Sequence, residues 1–326
     1  MSGRRVVVSG ATFPRSARHA LEAGGLTVET IPGDLEEAGV IEALRGAWGY
    51  VLGGSERMSA KAWEQLPGLE VACFMGTGFK TFMEVPEGPS PIRFTYTPHA
   101  NAFAVAEFAL AQTLDLVRSI TRTVDGVAAG RWSERATPSL GSARLGIAGL
   151  GHIGRELARM AHAAFGTEIV YWNRSRRPEF DALPYQAVGS LDELFAASDV
   201  VSLNFAYEPG GNDAVVGAGQ LRALGPDGFL VNVSRAELVD PVALRTALAE
   251  RWIAGAAIDG YYIEPTPAPA EDPHGLLAFV PDRLLVTPHS AYLSTHAIGR
   301  MADMAVANLL AVARGEVPPN EAVAVP

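Results

Sequence analysis

Leu145-Gly146-Ile147-Ala148-Gly149-Leu150-Gly151-His152-Ile153-Gly154-Arg155-Glu156-Leu157-Ala158-Arg159-Met160 sets a G-x-G-x-x-G pattern between a short apolar run and an amphipathic one. The run Leu145 to Ala148 reads as a buried strand and the stretch from Ile153 to Phe165 as a helix. In that setting Gly149 makes a tight turn, Gly151 lets the backbone approach a pyrophosphate, and Gly154 lets helix and strand pack closely. His152 and Ile153 then sit at a helix N-terminus, where free N–H groups favour phosphate. A plain glycine-rich βα turn shares the six-residue pattern, but the flanking strand and helix favour a dinucleotide site. The next strand, Glu168 to Trp172, ends at Asn173 and runs into Arg174-Ser175-Arg176-Arg177. NAD sites usually carry Asp or Glu at that strand end to accept from the ribose 2′-OH. Here no carboxylate is there to repel a 2′-phosphate, and guanidinium groups stand ready to bind one. The expectation is NADP(H) in preference to NAD(H), with NAD(H) still possible and a solvated basic loop as the plain alternative.

Outward from this motif, short apolar runs alternate with amphipathic stretches. Toward the N-terminus, strands are expected at Arg5 to Ser9, Leu26 to Ile31, Tyr50 to Leu52, Glu70 to Phe74 and Arg93 to Tyr96. Helices are expected at Ser16 to Ala23 and Leu35 to Leu44, with a third capped by Ser59. One long helix is expected from His99 to Ile120, then a polar, turn-rich stretch to Ser142. Beyond the glycine motif, strands are expected at Val200 to Leu203, Phe229 to Asn232, Ala254 to Ile258 and Leu284 to Val286. The helices between them are Leu191 to Ala197, Gly219 to Leu224 and Pro241 to Arg251, and the last helix is Ser294 to Ala313. Between Tyr261 and Pro281 lies a Pro-rich segment of a length that usually carries function. Repeated βα units imply parallel sheets covered by helices on both faces.

The whole chain is consistent with this. Its 326 residues suggest about two domains, and 48% apolar residues can fill two cores. Acidic residues outnumber basic ones by 36 to 26, for a formal charge of −10, which disfavours nucleic acid and anionic membranes as partners. A single cysteine, Cys73, excludes an intrachain disulfide framework. The start reads as a first buried strand rather than a signal peptide, so a cytoplasmic location is expected. His289 and His296 are a conceivable metal pair, but seven residues is a poor ligand spacing and no Cys or acidic cluster joins them, so no metal is expected.

From about Gly76 onward the chain resembles the D-2-hydroxyacid dehydrogenase (D-isomer-specific) family, within it the glyoxylate/hydroxypyruvate reductases. The resemblance rests on ordered motifs. They are Gly130-Arg131-Trp132, the glycine motif, Ser198-Asp199-Val200-Val201-Ser202-Leu203, and Asn232-Val233-Ser234-Arg235 with Leu238-Val239-Asp240. Ile258-Asp259, Glu264-Pro265 and Thr287-Pro288-His289 complete the set. It implies a catalytic set of Arg235, Glu264 and His289. An imidazolium at His289 can give a proton to a carbonyl oxygen, since histidine titrates near neutral pH. Glu264 would favour the protonated ring. Arg235 can clamp a substrate carboxylate and polarise the ketone. The resemblance further implies that Asp259, Val233, Ser234, Ser290 and Ala291 lie beside the cofactor. Gly76, Thr77 and Gly78 would offer backbone N–H groups to the substrate carboxylate, and Tyr292 would line the pocket. Taken alone, each of these residues is compatible with a structural role.

The implied architecture is α/β: two doubly wound parallel-sheet (Rossmann/flavodoxin-like) domains with a cleft between them. Residues 1–98 and 290–326 form the substrate domain and residues 99–289 the dinucleotide-binding domain. The implied activity is reduction of a 2-keto acid to a D-2-hydroxy acid, in a homodimer with only this small molecule and its cofactor as partners. A nicotinamide-nucleotide-sensing corepressor on the same fold is the alternative. The chain departs from the family pattern at Asn204, Ala206 and Ala236, at Gly260-Tyr261-Tyr262-Ile263 and at Phe79-Lys80-Thr81-Phe82. The last two segments put Phe79, Phe82, Tyr261, Tyr262 and Tyr292 near the expected pocket and suggest a bulkier substrate than glyoxylate. Glutamate at 264 argues against the formate dehydrogenase branch.

Overall fold

The structure, a computed structural model, describes residues 3–10, 12–175, 177–180 and 182–322. The chain divides into two compact units, Met1–Asn101 with Leu293–Pro326, and Ala102–Tyr292.

In the first unit the order is β1 (Arg4–Ser9), α1 (Arg15–Ala23), β2 (Leu26–Ile31), α2 (Glu37–Leu44), β3 (Gly49–Leu52), α3 (Ala60–Trp63), β4 (Val71–Phe74) and β5 (Arg93–Tyr96). The sheet runs β2-β1-β3-β4-β5, all parallel. Val6, Val7 and Val8 are fully buried, as a strand covered on both faces requires. Ser59 stands at the N-cap of α3 but its side chain accepts no capping bond. The carboxylates of Glu37 and Glu84 take the N–H groups of Ser59 and Ala60 instead, at 2.6 and 3.0 Å. Burial pushes the Cys73 thiol up to about 11, so this lone cysteine is a packing residue.

In the second unit α4 (Ala102–Arg118) and α5 (Ile120–Ala128) precede β6 (Arg144–Ala148), α6 (His152–Phe165), β7 (Glu168–Trp172) and β8 (Gln186–Ala187). Then come α7 (Leu191–Ala196), β9 (Val200–Leu203), α8 (Ala218–Leu224), β10 (Phe229–Asn232), α9 (Pro241–Ala249), β11 (Gly255–Asp259) and β12 (Leu284–Thr287). The last helix, α10 (Thr295–Ala313), returns to the first unit, and Ser294 caps it by accepting from the Ala297 N–H. The second sheet runs β12-β11-β10-β9-β6-β7-β8, again parallel throughout. Its order reverses between β6 and β9, the position where open α/β sheets bind ligands beyond the strand C-termini. No helix among the described residues is long and apolar enough to cross a membrane.

Two sequence expectations change here. The single helix from His99 to Ile120 is two helices. Ser119 turns left-handed (φ 52°), and α5 then occupies part of the stretch expected to be turns. Asp115 makes the restart possible, accepting from the Thr121 N–H at 2.7 Å and the Thr121 hydroxyl at 2.5 Å. β8 was not expected, since two exposed residues carry no periodic signal.

Candidate active site

The loops after β6, β10, β11 and β12 emerge on one end of the second sheet. After β6, Gly149 adopts φ 91°, and a Cβ there would lie 2.9 Å from Phe205. Gly154 packs so tightly that a Cβ would fall 2.1 Å from the Gly149 carbonyl oxygen. At Gly151, by contrast, a Cβ would meet nothing within 4 Å. Two of the motif glycines are therefore required by packing, and the third faces open space at the N-terminus of α6. No side chain caps that helix at Gly151, which leaves the Ile153 N–H for an anion. Asn173, just past β7, accepts from the Leu150 N–H through Oδ1 at 2.7 Å. Its Nδ2 is a buried donor without a partner. An uncapped helix end, an open glycine face and an unmet donor fit a dinucleotide, which would satisfy the Ile153 N–H and Asn173 together.

The basic segment is less free than its sequence implies. Arg174 pairs with Glu208 at 2.9 Å, and Arg177 lies 3.8 Å from Glu179. Glu208 comes from the loop after β9, a carboxylate the local sequence around Asn173 could not reveal. Ser175 is exposed, and Arg176 lies outside the described residues.

The loop after β10 is shaped by Asn232. This fully buried amide donates to the Arg235 carbonyl at 2.7 Å and accepts from the Ser234 N–H at 3.0 Å. The Ser234 hydroxyl donates to the Leu203 carbonyl at 3.2 Å, and Val233 is buried beneath. Arg235 reaches from this loop so that Nη1 lies 3.2 Å from His289 Nε2. The other ring nitrogen, Nδ1, lies 3.3 Å from Glu264 Oε2. Glu264 Oε1 accepts from the Tyr261 N–H at 3.0 Å. The three residues thus form one line, guanidinium to imidazole to carboxylate. The bond from His289 holds the Glu264 carboxyl below its usual range against the opposing effect of burial. Burial draws the Arg235 guanidinium down, opposed by Glu237, Glu264 and Asp259.

His289 itself has a left-handed backbone (φ 52°), a conformation that costs on the order of 1–3 kcal/mol for a non-glycine residue. Asp259 holds it there. This carboxylate is 3% exposed. Oδ1 accepts from the Thr287 hydroxyl at 2.6 Å and the Ser290 N–H at 2.9 Å, and Oδ2 accepts from the Ala291 N–H at 2.9 Å. Asp259 was expected beside the cofactor. Both of its oxygens are engaged inside the turn that carries His289. Ser290 and Ala291 are the residues it holds. Asn232, Thr287 and Gly260 are contributors that the motif reading quoted without a role. Gly260 takes φ 93°, and a Cβ there would lie 2.6 Å from Glu264 Oε1, so a larger residue would strain the turn and displace that carboxylate.

Two of the five aromatics expected near the pocket turn inward instead. Tyr261 is 4% exposed and donates to Asp272 Oδ2 at 2.7 Å. Tyr262 donates to the Val239 carbonyl at 2.8 Å. Both pack against the core of the second unit. Phe79 and Phe82 pack on Tyr96 and Phe74 in the first unit. Tyr292 stands edge-on to His289 with ring centroids 6.3 Å apart. In the first unit, the Gly76 N–H is already bonded to the Phe74 carbonyl at 3.0 Å, leaving the Thr77 and Gly78 amides for any anion. The Thr77 hydroxyl donates to Asn101 Oδ1 at 3.0 Å. Among the described residues, no group of three His, Cys, Asp or Glu side chains could hold a metal ion.

A family model described as D-isomer specific 2-hydroxyacid dehydrogenase, NAD binding domain, matches residues 110–291. The chain belongs to the D-isomer-specific 2-hydroxyacid dehydrogenase family. It is 32% identical over 273 residues to a glyoxylate reductase of Thermofilum pendens, covering 81% of this chain and 78% of that one. It is 33% identical to a 2-ketogluconate reductase of Gluconobacter oxydans, covering 81% and 82%. Among solved structures it is similar to the NADPH-dependent glyoxylate/hydroxypyruvate reductase of Sinorhizobium meliloti in complex with NADP and malonate. That match has 28% identity and a TM-score of 0.80, over 99% of this chain and all of the other. This dehydrogenase is accordingly an oxidoreductase that uses a nicotinamide cofactor to reduce keto acids. The corepressor alternative has no support among these relatives.

The two glycine environments separate folding from binding. Gly154→Ala should destabilise the protein by roughly 1–3 kcal/mol, because backbone must move to admit the methyl group. Gly151→Ala should unfold within about a degree of the parent yet bind dinucleotide at least several-fold more weakly. Thermal unfolding and cofactor titration by fluorescence check both, and equal Tm losses would refute the distinction.

Proposed function

We propose that this dehydrogenase reduces a 2-keto acid to the D-2-hydroxy acid with NADPH preferred, using Arg235, Glu264 and His289. The observation that carries the reading is the unbroken line Arg235–His289–Glu264, at 3.2 and 3.3 Å. A reduced nicotinamide cofactor held at Gly151, Ile153 and Asn173 would supply the hydride for the carbonyl carbon. The proton for the carbonyl oxygen comes from His289 Nε2. Glu264, kept ionised by its bond from His289, accepts from Nδ1 and so turns Nε2 toward the substrate. Arg235 now faces that same Nε2. Two N–H donors cannot share this hydrogen bond, so with Arg235 donating, Nε2 is the acceptor. A substrate carboxylate draws the guanidinium to itself in a charge-assisted pair, which leaves Nε2 free to carry a proton. Binding the acid group thereby arms the general acid. The Thr77 and Gly78 amides are assigned to a substrate carboxylate as well.

Asn173 in place of an acidic residue, with Arg174 and Arg177 after it, supports 2′-phosphate recognition, and Gly151, His152 and Ile153 are assigned to the pyrophosphate. We also infer a homodimer. α5 exposes Ile120, Val124 and Val127 on one face, and Trp132 just beyond it is 84% exposed, an apolar stripe that water alone would cover poorly.

His289→Gln should lower kcat for a panel of 2-keto acids by about 10²–10⁴ while NADPH binding persists. Turnover that survives the change undamaged would overturn the acid assignment. The double variant Arg174→Ala, Arg177→Ala should raise KM for NADPH about tenfold or more relative to KM for NADH, the loss of at least one charge-assisted bond. Equal effects on both cofactors would remove the 2′-phosphate reading. Val124→Lys should convert the dimer to monomer in sedimentation, and a parent that sediments as a monomer would end the dimer inference.

A further inference from the structure

α4 carries a polar residue where its neighbours call for an apolar one. Gln112 is 6% exposed, and Ala109 and Leu116, one turn away on either side, are buried in the core of the second unit. Its amide makes one bond, from Nε2 to the Thr287 hydroxyl at 3.2 Å. Its carbonyl Oε1 is buried and has no partner. A leucine or methionine would fill the position without burying an unmet acceptor. Packing therefore does not explain the amide, and its bond to Thr287 does.

The direction of that bond is fixed. A carboxylate can only accept, so the Thr287 hydroxyl, 2.6 Å from Asp259 Oδ1, donates its proton there. Its lone pair then faces Gln112, and the Gln112 NH₂ donates into it. Asp259 sets where that proton goes, and Gln112, donating into the lone pair left over, anchors the Thr287 hydroxyl oxygen from α4. Asp259 in turn holds the Ser290 and Ala291 N–H groups, on the C-terminal side of His289. The Thr287 carbonyl accepts from the His289 N–H at 2.8 Å and the Gly260 N–H at 2.9 Å on the other side. Every strut of the left-handed turn at His289 thus returns to Thr287 or Asp259.

We propose that Gln112 is a positioning residue for the reaction: through Thr287 and Asp259 it fixes the turn that presents the His289 ring. This rests on the assignment of His289 as the proton donor. Gln112 touches neither that ring nor Arg235 in any recorded hydrogen bond, so its influence runs only through the hydroxyl. The relay also explains why an orphaned carbonyl is retained in a core helix.

The test uses the full-length enzyme with NADPH and its best 2-keto acid. Gln112→Met keeps the volume and removes the amide, and Gln112→Leu is a second variant should the first pack poorly. Each should match or exceed the parent in Tm, because the buried unpaired carbonyl is gone. Each should nevertheless lower kcat about three- to tenfold, with KM for NADPH within twofold, the loss expected for one hydrogen bond. Thr287→Val should lower kcat as well. The double variant Gln112→Met, Thr287→Val should be no slower than Thr287→Val alone, because the amide acts only through that hydroxyl. Unchanged kcat in both Gln112 variants, or losses that multiply in the double variant, would overturn the relay. If His289→Gln retains full turnover, the proton-donor assignment fails instead, whatever the Gln112 variants do.

Discussion

The buried carboxylate of Asp259 is the constraint on which the rest of the site depends. It ends β11, the strand beside β12, and accepts three donors from the five residues Thr287 to Ala291. Those bonds hold a backbone conformation at His289 that L-residues avoid. The turn points the imidazole back toward two other strand ends, those of β10 and β11, which deliver Arg235 and Glu264. Parallel strands are what make this convergence possible. Because β10, β11 and β12 run the same way, their C-terminal loops leave the sheet side by side. An antiparallel neighbour would send its loop to the far end.

The same end of the sheet treats its glycines unequally. Gly149 and Gly154 are demanded by contact with Phe205 and with each other. Their role would persist in a protein that bound nothing. Gly151 alone has space around it, and it stands at the uncapped end of α6. A pattern match counts three glycines equally, whereas the physical case for a ligand rests on one glycine and on the unmet donor of Asn173.

Val200–Leu203 and Phe229–Asn232 match the expectation to the residue because buried parallel strands are near-continuous apolar runs, and Leu26–Ile31, at the edge of the first sheet, matches through its alternation of apolar and polar residues. The trio Arg235, Glu264 and His289 could be picked out only through motif resemblance, since no local signal links residues as far apart as Arg235 and His289. What escaped the reading depends on contacts distant in sequence. Ser59 looked like a cap, but Glu37 and Glu84 take the amides. Tyr261 and Tyr262 looked like pocket lining, but Asp272 and the Val239 carbonyl draw both inward. The restart of the helix at Ile120 needed Asp115 to reach across a left-handed serine, which no periodicity announces.

Arg174 and Glu208 illustrate why an observed ion pair does not settle a binding preference. Both side chains are at least half exposed, and pairs of that kind contribute about 0–1 kcal/mol. A charge-assisted bond to a phosphate contributes about 1.5–3 kcal/mol, and a dianion gains more than a monoanion from the same guanidinium. Exchange of Glu208 for a 2′-phosphate would therefore be downhill for Arg174. Glu208 nevertheless lowers the gain, because its own charge stays nearby and repels the incoming anion. The pair would weaken a phosphate's binding there without barring it. Such a weakening is larger at low ionic strength, where the Debye length exceeds the dimensions of the loop, and fades as salt screens the carboxylate.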